Sequence, residues 1–332
     1  MNILINCQSN FNLNSLKDNK LGGIESLNLM LAINIAKQGF NVTLGTKCKT
    51  KISKYKIKNI PINIIKNNPD MFHFDTIISS NDASIFNFFK EAKKILWFHN
   101  VLQIEKAIRK KQFFPIIRSN PIAIFVSKYL KLKTSKLFFL KKKIIIPNFL
   151  LPTFINKKIN YDRKPIFIWS VQRDKGLSEV INIWINNIFS INKTAKFHIY
   201  GINNLPNKYD YKYLLSKNII FKGRVTKTTL KRDYNKATAM ICLGYDETFC
   251  LNALEANACG LPILTLGETA LKDYVKHTYN GFIVKNYTDL SNNILKLTVQ
   301  KKNLHKKLIS NSVAMSKKYH IELVLKNWLK IL

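Results

Sequence analysis

Acidic residues are scarce in this chain. Across 332 residues, 19 Asp and Glu stand against 54 Lys and Arg, a formal net charge of +35. Hydrophobic residues still make up 46%, enough for a packed core, which excludes an intrinsically disordered chain. No charge-free run of about 18 apolar residues occurs, which excludes a spanning helix. The opening stretch, MNILINCQSNFNLN, lacks a basic segment followed by an apolar one, which argues against a cleaved signal peptide. Cysteines number only five (Cys7, Cys48, Cys242, Cys250, Cys259), an odd count with no C-x-x-C pair. That argues against a zinc ribbon or a disulfide framework and predicts a reducing cytoplasmic setting.

Arginine is scarce too. The 54 bases comprise 48 Lys and 6 Arg, beside 38 Asn, the usage an AT-rich coding sequence over-supplies. Part of the charge therefore follows coding bias, although the shortage of acids does not. Distribution is more informative than the total. Residues 101–150 hold 12 bases and a single acid, Glu105, a local net charge of +11. That excess points to an anionic partner: a membrane surface, nucleic acid or a phosphorylated substrate. With so little Arg and no DNA- or RNA-binding motif, specific nucleic-acid recognition is not expected.

Short β-branched apolar runs alternate with helical patterns along most of the chain. Strands are predicted at residues 2–6, 41–46, 76–79, 95–98, 122–126 and 143–146, and a helix at 24–38 closed by Gly39. After a stretch punctuated by Pro147 and Pro165 the rhythm restarts with PIFIWS, AKFHIYG, NIIFKG, TAMICL and PILTL. Strands alternating with helices predict parallel sheets covered on both faces. The fold class is thus α/β, with two Rossmann-like doubly wound domains facing a cleft. The expected boundaries are 1–147, a linker at 148–164, 165–318, and a final amphipathic helix at 319–332 packing back on the first domain.

The most specific stretch is DETFCLNALEANACGLP, residues 246–262. Glu247 and Glu255 are eight apart, slightly over two helical turns, which leaves them on related faces. Glu247 is expected at that helix's N-terminus, with the N–H groups of Thr248, Phe249 and Cys250 free. Such a terminus binds phosphate or an electron-rich oxygen, and a carboxylate beside it accepts bonds from hydroxyls. Together they suit a ligand with both phosphate and sugar. A bare pair of glutamates at this spacing would read as an ordinary capped helix.

This pair is not bare. The stretch closely resembles the signature E-x-F-[GC]-x-x-x-x-E-A-x-A-x-G-x-P of the retaining GT-B glycosyltransferases of family 4, also described as group 1. Gly22-Gly23-Ile24-Glu25 resembles the family's G-G-x-E loop, His99 its strand-end histidine, and Pro147-Asn148 the P-N before the linker. Ser170 to Leu177 resembles the R-x-x-K-G-L region, and Gly223-Arg224-Val225 the G-x-V turn. The pieces fall in the expected order across nearly the whole chain.

The resemblance implies a retaining, nucleotide-sugar-dependent glycosyltransferase of cell-surface polysaccharide or lipopolysaccharide synthesis, with a glycan or lipid-linked glycan acceptor. It places Glu255 on the nucleotide ribose and Glu247 on the transferred sugar, with N–H groups of Thr248, Phe249, Cys250 and Leu251 holding sugar hydroxyls or diphosphate. Arg173 and Lys175 balance the departing diphosphate, Gly22 and Gly23 let backbone approach it, and His99 touches the sugar. Cofactors are not expected, nor is a metal, since D-x-D occurs nowhere. Three departures stand out, the first being that Arg173 and Lys175 are one residue closer than in R-x-x-K. Cys250 replaces the commoner Gly and is expected to add bulk near the sugar, and Leu243-Gly244-Tyr245 replaces the usual Pro-Ser.

Alternatives remain open at this level. His99 fits a satisfied core histidine as well, and Gly22-Gly23 alone reads as a turn. Residues 102–146 mix lysines with Phe113, Phe114, Phe138 and Phe139, which suits peripheral attachment to the anionic inner face of the cytoplasmic membrane. They equally suit a solvated lysine-rich face over buried apolar residues. The rival functions are a sugar-nucleotide-binding relative without transferase activity, and a basic protein that binds nucleic acid or anionic surfaces.

Overall fold

The computed structural model describes residues 1–16, 21–49, 51–155, 158–171, 175–202, 209–267, 269–299 and 302–332. Fourteen strands occur among them. In the first half they are β1 (Asn2–Cys7), β2 (Asn41–Thr46), β3 (Ile52–Lys54), β4 (Ile57–Pro61), β5 (Thr76–Ser80), β6 (Lys93–Phe98), β7 (Ile122–Phe125) and β8 (Lys143–Ile145). The second half supplies β9 (Ile166–Trp169), β10 (Lys196–Tyr200), β11 (Ile219–Gly223), β12 (Ala239–Ile241), β13 (Ile263–Leu266) and β14 (Gly281–Val284).

The chain divides into two units, Met1–Phe149 with Ile321–Leu332, and Leu150–His320. Each is built on one sheet. The first sheet runs β3-β4-β2-β1-β5-β6-β7-β8, parallel throughout except for the β3–β4 pair. The second runs β11-β10-β9-β12-β13-β14 and is wholly parallel. Central strands buried on both faces need continuous apolar sequence, and β7 (IAIF) and β9 (IFIW) supply it. In chain order the second sheet is third-second-first-fourth-fifth-sixth. Its strand order reverses between β9 and β12, and an open α/β sheet binds ligands at the carboxyl ends of the strands beside such a reversal.

Three strands escape the pattern reading. β3 and β4 form a hairpin whose two turn residues, Tyr55 and Lys56, both have positive φ (56° and 60°). Such a turn normally advertises itself as Asn-Gly, and Tyr-Lys does not. β14 (GFIV) opens on a glycine, which weakens its strand pattern.

The last helix, Ile321–Leu329, belongs to the first unit. It buries Ile321, Val324, Leu325 and Trp328 at helical spacing, and the Trp328 ring meets Trp97 of β6 edge-on at 4.9 Å. Burying each aliphatic side chain there is worth about 1.5–3 kcal/mol, so the segment is held firmly. Lys93 Nζ donates to the Leu332 carbonyl at 3.2 Å, tying down the end of the chain.

Candidate active site

In the second unit, β9 and β12 deliver two loops to the carboxyl edge of the sheet where the order reverses. The loop after β9 contains Lys175. Arg173 lies outside the described residues. The loop after β12 spans residues 242–250 and contains Glu247. Lys175 Nζ and Glu247 Oε1 form a half-buried ion pair at 2.7 Å, joining the two loops.

Glu247 is not on the helix, contrary to the spacing argument. The helix that follows is Leu251–Ala258, with Cys250 as its N-cap. Three left-handed residues delay it: Gly244 (φ 82°), Asp246 (φ 52°) and Cys250 (φ 63°). Gly244 begins a turn in which the Glu247 N–H donates to its carbonyl at 3.0 Å, and a Cβ there would collide with Thr269. Only glycine fits that position without cost. The Tyr274 hydroxyl, buried beneath, bonds the carbonyls of Phe249 and Cys250 at 2.9 Å each. Phe249 is buried, its ring 5.6 Å from Tyr274 and 6.0 Å from Tyr319, so its side chain anchors the loop. Thr248 and Leu251 are half-buried beside it.

Cys250 does not add bulk at the ligand side. Its Sγ turns inward to Cys242 Sγ at 3.6 Å, and hydrogen bonding to Cys242 together with burial raises its thiol pKa well above the ordinary value. The left-handed backbone explains the commoner glycine, since a side chain there costs roughly 1–2 kcal/mol.

Glu255 is 4% exposed, one turn beyond Asn252 on the same face of the helix. Asn252 Nδ2 donates to the Ser170 carbonyl, and Ser170 Oγ meets the Tyr234 hydroxyl at 2.6 Å. This packs the helix against the end of β9. No hydrogen bond to the Glu255 carboxylate forms among the described residues. Burial pushes its pKa up to about 8, only partly opposed by the Lys227 cation. A carboxyl kept in the interior without a donor is costly, and a ligand hydroxyl pair would supply what the chain does not.

Sequence reasoning missed Arg163, buried in the connecting segment. It donates to the carbonyls of Asn160 (2.8 Å), Tyr234 (2.7 Å) and Cys259 (2.9 Å). Tyr234 closes helix Lys227–Tyr234 and Cys259 caps helix Leu251–Ala258, so one guanidinium holds the C-terminal ends of both helices. Nothing in the sequence around it signals this.

The remaining expected residues lie in the first unit, at the carboxyl edge of its own sheet. His99 follows β6, its ring 4.3 Å from Trp97, and burial lowers its pKa to about 3, so the ring is neutral. Gly22 caps the helix Gly23–Lys37, and the Glu25 carboxylate folds over it where a Cβ would stand. Gly22 and Gly23 are exposed. Asp82, which the sequence did not single out, sits after β5 as a buried hub. It accepts from Gln8 Nε2 (2.9 Å), Gln112 Nε2 (2.9 Å), Asn6 Nδ2 (3.3 Å) and the Ser84 N–H (3.0 Å). Burial alone would raise its pKa, but the hydrogen bonds from Ser84 and Gln112 and the Lys66 cation outweigh it and hold the carboxyl below its ordinary value.

Residues 153–315 match the family described as Glycosyl transferases group 1. No curated protein sequence matches. Among solved structures, a sucrose-phosphate synthase from Thermosynechococcus elongatus is 14% identical and superposes with a TM-score of 0.73, over 100% of this chain and 98% of that one. WaaG, a glycosyltransferase involved in lipopolysaccharide biosynthesis, is 15% identical with a TM-score of 0.71, over 99% of each chain. Anabaena HepE, solved in complex with UDP and glucose, is 14% identical with a TM-score of 0.68, over 99% and 98%. Two parallel-sheet units in this order have the fold of these GT-B enzymes. The chain is a GT-B protein whose residues 153–315 belong to the glycosyl transferases group 1 family.

Proposed function

We propose that the protein is a retaining glycosyltransferase that moves a sugar from a nucleotide-sugar donor to a glycan or lipid-linked glycan, in synthesis of cell-surface polysaccharide or lipopolysaccharide. The observation that carries this reading is Glu255: a buried carboxyl with its pKa raised to about 8 and no donor among the described residues, beside the reversal point of a Rossmann-type sheet. A ribose presents two adjacent hydroxyls, the donors such a group lacks. Glu247 and Lys175, paired at 2.7 Å, then exchange one another for the transferred sugar's hydroxyls and the diphosphate. Cleaving a glycosyl–phosphate bond builds negative charge on the leaving oxygen, and Lys175, with Arg173, stabilises it without a metal. N–H groups of Thr248, Phe249, Cys250 and Leu251 complete the donor's cradle. His99, neutral across the physiological range, hydrogen-bonds rather than carries charge. Substitution proceeds on one face, the departing phosphate taking the acceptor's proton. The UDP bound by HepE and the involvement of WaaG in lipopolysaccharide biosynthesis support this donor class and acceptor setting.

The test is thermal stabilisation by a panel of sugar nucleotides, followed by mass detection of a glycosylated product with the donor that stabilises most. Stabilisation that Glu255→Gln abolishes, with product formed, is the expected result. Stabilisation without product over a panel of acceptors leaves a binding protein, and none at all removes the donor assignment.

A further inference from the structure

We infer that the outer face of residues 101–145, in the first unit, docks onto an anionic lipid bilayer. Its bases are displayed: of the 12 in residues 101–150, only Lys106 and Lys143 are half-buried and the rest are exposed. The apolar residues shown between them are what a solvated lysine face would not need. Helix Phe113–Ser119 buries Pro115 and Ile116 and turns Phe114, Ile117 and Arg118 outward, at spacings of three and four. A surface helix ordinarily keeps that outer stripe polar. Phe114 is 64% exposed, with the Arg118 guanidinium 5.7 Å from its ring.

The neighbouring elements repeat the arrangement. Helix Lys128–Lys133 shows Leu132, 78% exposed, between Lys131 and Lys133. In the turn Lys136–Phe138, Phe138 goes inward while Leu137 and Phe139 stay out, Phe139 at 75% exposure. Of the four phenylalanines, then, Phe113 and Phe138 pack inward, their rings 6.2 Å apart, and Phe114 and Phe139 are the outward pair. The segments are tied into one region. Gln103 Nε2 donates to the Lys133 carbonyl at 2.7 Å, and the Lys141 N–H donates to Asn120 Oδ1 at 3.3 Å.

Charge complementarity selects an anionic occupant, and the aliphatic side chains choose among anionic ones. Bases stack on aromatics and are read by Arg, but gain little from Leu and Ile, whereas a bilayer takes all these apolar types at its headgroup boundary. Lysine stems lie along the apolar surface and carry their ammonium groups to lipid phosphates.

The experiment is sedimentation of the full chain with phosphatidylglycerol-containing or pure phosphatidylcholine vesicles at low and high salt. Binding to the anionic vesicles that weakens with salt is expected, with little to the neutral ones. The Phe114→Ser/Phe139→Ser double variant should bind about tenfold less, with an unchanged melting curve and nucleotide response. In Phe139→Trp, anionic vesicles should shift the emission to the blue as the added indole leaves water, while the four native tryptophans, fully buried, keep their own emission. No vesicle binding, full binding by the double serine variant, or no blue shift overturns the inference. So does duplex DNA or RNA that displaces the vesicles, or self-association that the serine substitutions abolish.

Discussion

Asp82 in the first unit and Glu255 in the second are both buried carboxyls beside the strand-order reversal of a parallel sheet, and the chain treats them oppositely. Asp82 receives hydrogen bonds from two side-chain amides at 2.9 Å and from the Ser84 N–H, and its pKa lies below the ordinary value. Glu255 receives none among the described residues, and its pKa rises to about 8. A carboxylate that holds a fold together is given its partners by the chain. Glu255, proposed to wait for a ligand, is buried without such partners among the described residues and carries the cost as a shifted proton equilibrium.

The two therefore contribute to stability with opposite signs. Between the unfolded value of about 4.5 and the folded value of about 8, unfolded Glu255 has lost its proton and folded Glu255 has kept it. Stability falls as pH rises through that window, by a total on the order of 4 kcal/mol. Glu255→Gln should remove this slope. Chemical denaturation should find the variant more stable than wild type at about pH 8.5 and nearly equal to it at about pH 4.5. Asp82 works the other way. Its contribution is present above the unfolded value of 3.8 and is lost as pH falls through the lower folded value. Asp82→Ala strands the amides of Gln8 and Gln112 and should cost about 3 kcal/mol at neutral pH, read from a denaturation midpoint. Equal responses of the two variants would erase the distinction.

A slightly smaller effect concerns turnover. Glu247→Ala should lower kcat by roughly a hundredfold while donor affinity changes by only a few-fold, since its partner Lys175 remains for the diphosphate. Smallest of all, Cys250→Gly should leave stability within about 1 kcal/mol, relief of the left-handed backbone offsetting loss of the contact with Cys242. A large loss in thermal melts would show that the thiol pair, not the backbone, dominates there.

Much of this was legible beforehand, for physical reasons. Central parallel strands are favoured by apolar residues on both faces, so β7 and β9 stand out in any reading of the chain. The resemblance singled out Glu247, Glu255 and Lys175, of which the structure pairs Lys175 with Glu247 and carries Glu255 on the helix, whereas spacing alone put Glu247 on that helix too. What local spacing does not carry was missed. The start of the helix at Leu251 depends on positive φ at Asp246 and Cys250, residue types that do not demand it. The Asp82 hub gathers Asn6 and Gln8 from 76 and 74 residues away, and Arg163 reaches Cys259 across 96. Such contacts exist only once the sheets have formed. Phe113 and Phe114 are neighbours of equal hydropathy, and only packing decides that one points inward and the other out.

Glu255, on this account, is an unpaired carboxyl completed by donor hydroxyls. Hydroxyls donating to it favour the ionised form, so binding must release its proton, and below pH 8 affinity should rise with pH by about tenfold per unit. Titration calorimetry at neutral pH in two buffers of different ionisation enthalpy measures that proton directly. The ligand is whichever of UDP, GDP and ADP stabilises the protein most. Wild type should release close to one proton and Glu255→Gln none, and the variant should also bind at least about tenfold more weakly. Tight binding with no proton released, or with the same release from both proteins, would contradict it.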